Sequence, residues 1–156
     1  ALPILSEEIW APLGMEFDAD MMLDVVGDAV VDGGLSCAAR DLARFGQAYL
    51  DDGAGVIPAA WVHDTVHGDD DAMRCFRESP TVTAEERKGW CMYRNAFWVL
   101  ERDRVYGMAG IFGQHCWIDV PNRVVIARFS TYPTALPEQT YYETLGAFRA
   151  ISAALA

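Results

Sequence analysis

The scarcest residue in the chain is lysine: Lys88 is the only one in 156 residues. That scarcity excludes two chemistries within the chain. A Ser-x-x-Lys nucleophile pair needs serine three residues earlier, and Glu85 stands there. A G-x-x-x-x-G-K-[ST] phosphate loop needs Ser or Thr next, and Gly89 stands there. Basic residues of both kinds number 12 against 23 acidic ones, a formal net charge of −11. Such a chain repels phosphate, so neither nucleic acid nor an anionic membrane surface is an expected partner. No apolar run approaches the roughly 18–20 residues needed to span a bilayer. No G-x-G-x-x-G follows a strand pattern, which leaves a dinucleotide fold without support. Cys37, Cys75, Cys91 and Cys116 include no C-x-x-C pair. They read as free thiols, suiting a reducing, cytoplasmic compartment. There is neither a secretory leader pattern nor an initiating Met, and the chain opens at Ala1 beside a helical pattern. The expectation is a processed chain, or one lacking the first part of a longer parent.

What is present is globular. Apolar residues make up 52% of the chain and include five Trp, six Tyr and seven Phe, ample material for a core. Pro3 to Trp10 reads as the end of a helix, closed by Gly14. Ser36 to Leu50 is the clearest helix, with Ser36 as N-cap and Leu42, Phe45 and Tyr49 at helical spacing. Pro58 opens a short helix over 59–66. Residues 68–90 are polar and broken and read as a loop. Three strands follow, over 96–100, 114–120 and 123–130, the last two joined at Pro121-Asn122. A closing helix over 137–155 carries Tyr141, Leu145, Phe148, Ile151 and Leu155 on one stripe. The fold class is α+β: an antiparallel sheet of three strands with a C-terminal helix on one face and an N-terminal helical region. The organisation reads as a helical part, 1–90, and a β-meander with its helix, 91–156.

Several side chains invite a chemical reading. His63 and His67 lie four apart on one helical face, with Asp69, Asp70 and Asp71 following, and two imidazoles plus a carboxylate can ligate zinc. The plainer reading places both near a helix C-terminus, where positive charge is favourable, and no metal is expected. Ser36 in "GGLSCAAR" only loosely matches a G-x-S-x-G elbow, because Ala38 replaces the last glycine. His115 and Cys116 are adjacent on a strand and point to opposite faces, so they cannot pair. Tyr93 to Asn95, "YRN", has the Tyr-x-Asn form but runs directly into a strand. The stretch "GMAGIFGQHCWIDV" raises a sharper question, since a strand approached through so many glycines signals either a tight turn or close approach to a small ligand.

The segments "EEIWAPLGM", "GGLSCAARDLARFGQAYLDDG", "VIPAAWV", "YRNAFWVL" and "GMAGIFGQHCWIDVPNRVVIARFSTYP" occur in that order over nearly the whole chain. Together they resemble the C-terminal half of the β-lactamase-related serine hydrolases. The nearest branch is the 6-aminohexanoate-dimer hydrolase and carboxylesterase type, allied to class C β-lactamases. The resemblance implies part of a β-lactamase/transpeptidase-like fold acting on ester or amide bonds. It implies that the nucleophile and its tyrosine partner lie upstream, so that no catalytic residue and no cofactor is expected here. The expected contribution is a substrate-pocket wall: Gly110, Ile111, Phe112, Gly113 and Gln114, with backbone N–H groups near Gln114 placed to hold an oxyanion. Phe112 departs from the pattern, since the family commonly carries Lys or His there and an apolar ring donates no hydrogen bond. A binding or scaffold homologue is therefore the alternative reading. Without the upstream half, "RVVIARFS" would be an open edge strand, which predicts association with the missing N-terminal segment or with a second copy.

Overall fold

Residues with side chains alternating between two apolar faces dominate the second half of the chain, and they build one meander. The computed structural model describes residues 2–31, 33–84 and 86–156; Ala1, Asp32 and Glu85 lie outside the described residues. Five strands, β3 (Met92–Arg94), β4 (Phe97–Glu101), β5 (Val105–Gly110), β6 (Gln114–Asp119) and β7 (Val124–Arg128), pair antiparallel in chain order. A separate two-stranded ladder joins β1 (Asp20–Met21) to β2 (Leu35–Ser36). The helices are α1 (Leu2–Ile4), continued by a π-helical stretch to Trp10, α2 (Ala39–Leu50), α3 (Ala59–His67), α4 (Asp70–Glu78), α5 (Glu86–Gly89) and α6 (Glu138–Leu155).

The three expected strands are β4, β6 and β7, but the sheet has five. The two additions have physical reasons for being inconspicuous. In β5, "VYGMAG" is diluted by glycine, yet Gly107 is required there: a Cβ would meet the Cys116 carbonyl oxygen at 2.2 Å. β3 takes Tyr93 and Arg94 of the "YRN" stretch, and Asn95 and Ala96, with φ of 50° and 67°, form the two-residue turn into β4. Asn95 Nδ2 donates to Asp64 Oδ2 (3.0 Å) and Thr65 Oγ1 (3.0 Å), so it is a turn residue held by α3.

Both faces of the sheet are covered, not one. Phe97, Val99, Tyr106, Cys116 and Ile118 pack with Tyr49 and Leu50 of α2 and Val62 and Val66 of α3. Leu100 and Trp117 point the other way, onto Leu145 and Phe148 of α6 and Phe76 of α4. Each such fully buried large apolar side chain contributes about 1.5–3 kcal/mol. Gly46 lets α2 approach closely, since a Cβ there would lie 2.7 Å from both Cys116 Sγ and Val125 Cγ1.

The first half corrects the sequence reading in two places. Ser36 is not an N-cap; it pairs with Asp20 in extended chain, and α2 starts at Ala39 with no side-chain cap. The polar stretch 68–90 is not a loop but carries α4 and α5. Asp69 caps α4, accepting from Ala72 N (2.7 Å), and Phe76 is its buried anchor. Thr83 and Glu86 form a reciprocal capping box at α5: Thr83 N donates to Glu86 Oε2 (2.7 Å) and Glu86 N to Thr83 Oγ1 (3.1 Å). On α6, Leu145, Phe148 and Ser152 are buried, whereas Ile151 and Leu155 of the expected stripe are exposed. Among the described residues, β7 pairs only with β6 and is a sheet edge. Among the described residues, no helix is long and apolar enough to cross a membrane.

Candidate functional site

The glycine-rich stretch folds as a tight 3-10 turn, Ile111–Gly113, between β5 and β6. Phe112 sits at φ 59° and ψ 18°, the left-handed region that a residue with a Cβ adopts only under constraint. The constraint is visible in the chain after β7. Phe112 N donates to Ala135 O (2.8 Å), and Tyr132 N donates to Phe112 O (3.0 Å). Both backbone groups of Phe112 are therefore engaged by the 132–135 segment.

Gly113 answers the question posed by the glycines. Its φ is 87°, and a Cβ there would lie 2.6 Å from the Tyr132 ring. The close approach is thus made by a side chain of the same molecule. Tyr132 is buried, its hydroxyl lies 2.6 Å from Thr144 Oγ1 on α6, and it accepts from Arg128 Nη1 (2.8 Å). The Arg128 guanidinium also stacks 4.9 Å over the Tyr132 ring and donates to Gly113 O (3.1 Å). Gln114 is likewise held inward: its Nε2 donates to Ser130 O (2.7 Å), and its Oε1 accepts from Ser130 N (3.2 Å).

These contacts divide the predicted pentapeptide. Gly110 and Ile111 line an open groove of about 480 Å³, with Trp98, Leu136, Tyr141 and Tyr142 as its apolar walls. Phe112, Gly113 and Gln114 lie outside that lining, and Phe112 is 42% exposed. Besides the tyrosine hydroxyls, the polar side chains of the groove are Thr83, Glu86 and Glu138, and among the described residues no basic side chain lines it. Sequence reasoning missed Trp98, Tyr142 and the Tyr132 clamp. The one available signal was the Tyr132-Pro133 break directly after the last strand.

Close to the turn, the buried groups are electrostatically quiet. Burial, with the Arg128 charge adding to it, pushes the His115 imidazole down to about 4, so the ring is neutral. It packs between Tyr141 and Phe148, each ring centroid 5.5 Å away. Burial, reinforced by the Cys37 thiol, pushes Cys116 up to about 12. Neither residue is poised as a base or nucleophile, and they face opposite sides of the sheet, as the strand alternation requires. None of the four cysteines is in a disulfide.

The other predicted cluster is rearranged. His63 and His67 do stack on one face of α3, with centroids 4.7 Å apart and planes 18° apart. The carboxylate that joins them is Asp103, from the turn between β4 and β5, with Oδ2 2.6 Å from His67 Nδ1. Of the expected acids, Asp69 caps α4, Asp70 pairs with Arg102 and Asp71 with Arg74.

No family model matches the chain. A curated relative, the 6-aminohexanoate-dimer hydrolase of Paenarthrobacter ureafaciens, is 35% identical over 136 residues, covering 83% of this chain and 33% of that protein. A solved structure from Bacillus anthracis, provisionally named as a 6-aminohexanoate-dimer hydrolase, matches with a TM-score of 0.79 at 25% identity, over 97% of this chain and 37% of the other. In sequence and in fold, the chain is a relative of the 6-aminohexanoate-dimer hydrolases, spanning about a third of the length of those it matches.

Proposed function

We propose that the chain is the C-terminal portion of a β-lactamase-like serine hydrolase acting on amide or ester bonds, in which it forms a wall of the substrate pocket and supplies no attacking group. The observation that carries this reading is the groove beside Gly110 and Ile111, in a chain nearly all of which matches about a third of the solved Bacillus anthracis structure. The groove has aromatic and aliphatic walls, carboxylates at Glu86 and Glu138, and, among the described residues, no cation in its lining. That chemistry suits a flexible methylene chain ending in an ammonium group, which is what an amide dimer of 6-aminohexanoate presents. Since the Phe112 N–H is engaged by Ala135, the oxyanion role falls to backbone donors elsewhere on the wall or upstream.

The edge of β7 fits the same reading: it is where an upstream segment of a parent chain, or a second copy, would add its strands. Phe112 favours one alternative, a binding or scaffold homologue that keeps the groove without the chemistry, because an exposed apolar ring stands where a hydrogen-bond donor is expected.

The test is reconstitution. The chain is mixed or co-expressed with its parent's upstream segment, and hydrolysis of a nitrophenyl ester and of 6-aminohexanoate dimer is followed. Activity only in the mixture, with KM raised severalfold by Ile111→Asp at little change in kcat, supports the hydrolase reading. Binding of the dimer without turnover supports the alternative. Neither binding nor turnover overturns both.

A further inference from the structure

We propose that His63, His67 and Asp103 form a binding site for a divalent transition metal of the zinc class, a site that clamps α3 to the turn between β4 and β5. The inference stands apart from the hydrolase reading, since the cluster shares no residue with the groove.

The geometry begins with the helix. Residues four apart project from one face, and two imidazoles so placed can close on one ion. Here the rings are already stacked nearly parallel. The third donor is brought by topology: α3 ends at His67, and the turn after β4 folds against that end. Two contacts independent of the imidazoles hold it there. Asp103 N donates to Val66 O (3.2 Å), and Arg102 Nε donates to His67 O (2.6 Å). Asp103 itself takes a left-handed φ of 61°, which swings its carboxylate back over the helix. The result places one donor atom from each of the three side chains within 4.8 Å of one another.

A tetrahedral ion with bonds of about 2.0–2.1 Å holds its donors about 3.4 Å apart, so modest side-chain rotation closes the site. His63 and Asp103 are exposed and His67 is half-buried, so that rotation is unobstructed by the core. Two imidazoles and one carboxylate leave a fourth position for water. The donor set selects a borderline ion over Mg²⁺ or Ca²⁺, which prefer all-oxygen sites. The net charge of −11 adds a general attraction for cations. Bound metal would join two elements now linked through the His67–Asp103 contact, the Asp103 N–Val66 O bond and the Arg102 Nε–His67 O bond.

The probe is Zn²⁺ alone, titrated calorimetrically into the chain after chelator treatment. One ion per chain is expected at micromolar affinity, weakened at least tenfold by Asp103→Asn and at least thirtyfold by the double variant H63Q/H67Q. Zn²⁺ at about a hundred times Kd should raise Tm by about 5–10 °C in the wild type alone. A second readout needs no variant: the chain has three histidines. Paramagnetic Co²⁺ should shift the imidazole proton signals of His63 and His67 and leave buried His115 unmoved. Equal Zn²⁺ affinity in wild type and double variant, or Co²⁺ effects spread evenly over all three histidines, would overturn the site and leave His67–Asp103 as a plain polar contact.

Discussion

Single residues around the turn carry measurable consequences. His115 is neutral in the folded chain, with its pKa lowered to about 4, whereas an unfolded histidine titrates near 6.5. Between those values the unfolded state binds the extra proton. The contribution to stability is therefore complete above about pH 6.5 and is lost as pH falls toward 4, amounting to roughly 3 kcal/mol. Urea melts across pH 4–7 on wild type and His115→Phe should show this slope in the first and a flatter profile in the second. Gly113→Ala should lose about 2–3 kcal/mol, because it forces a Cβ into φ 87° and against the rigid Tyr132 ring. Denaturant midpoints would check it, and a loss below about 0.5 kcal/mol would show that Tyr132 swings aside. Asp41 is fully buried and still ionised: burial raises its pKa, but the Glu16 and Phe17 amides and the Arg44 guanidinium outweigh that and hold it below the usual carboxylate range. It pins the loop after α1 to α2.

At the level of elements, α4 shows how a helix can hide in a polar sequence. Asp69→Ala removes its cap and should destabilise by about 1 kcal/mol, read as lower helicity and a shifted midpoint. Its letters, "DDAMRCFRE", place Ala72, Met73 and Phe76 on one apolar face, but the pattern runs barely two turns between charged residues and only Phe76 is fully buried, so it passes easily for loop. The legible signals were chemical: the Asp69 cap, and the Thr83-x-x-Glu86 box one element later. The opposite error at Ser36 has the same root, since a good capping residue is also at home in a two-residue ladder. The strands β4, β6 and β7 were plain from their short apolar and aromatic runs, as suits a sheet covered on both faces. β5 was obscured because Gly107, which permits strand contact, also erases the pattern. At the site, the turn was legible from its glycines, but its occupant was not. Nothing local in the sequence says that Tyr132 comes back to lie on Gly113.

On the scale of the whole molecule, the free edge of β7 and the exposed Phe129, Ile151 and Leu155 lie on a chain that spans a third of its relatives' length. The expected outcome in light scattering is a mass that rises with concentration, and Ile151→Lys should return it toward a single chain. A strictly monomeric wild type at high concentration would refute the association. The interior beneath α6 has a further consequence. Among the described residues, His115 Nε2, Trp117 Nε1 and Ser152 Oγ are buried there with no hydrogen-bond partner. Each unmet group lowers the cost of letting the helix lift. The last eighteen helical residues should thus behave as a separate cooperative flap, exchanging their amide hydrogens for deuterium well before β5 and β6 do so.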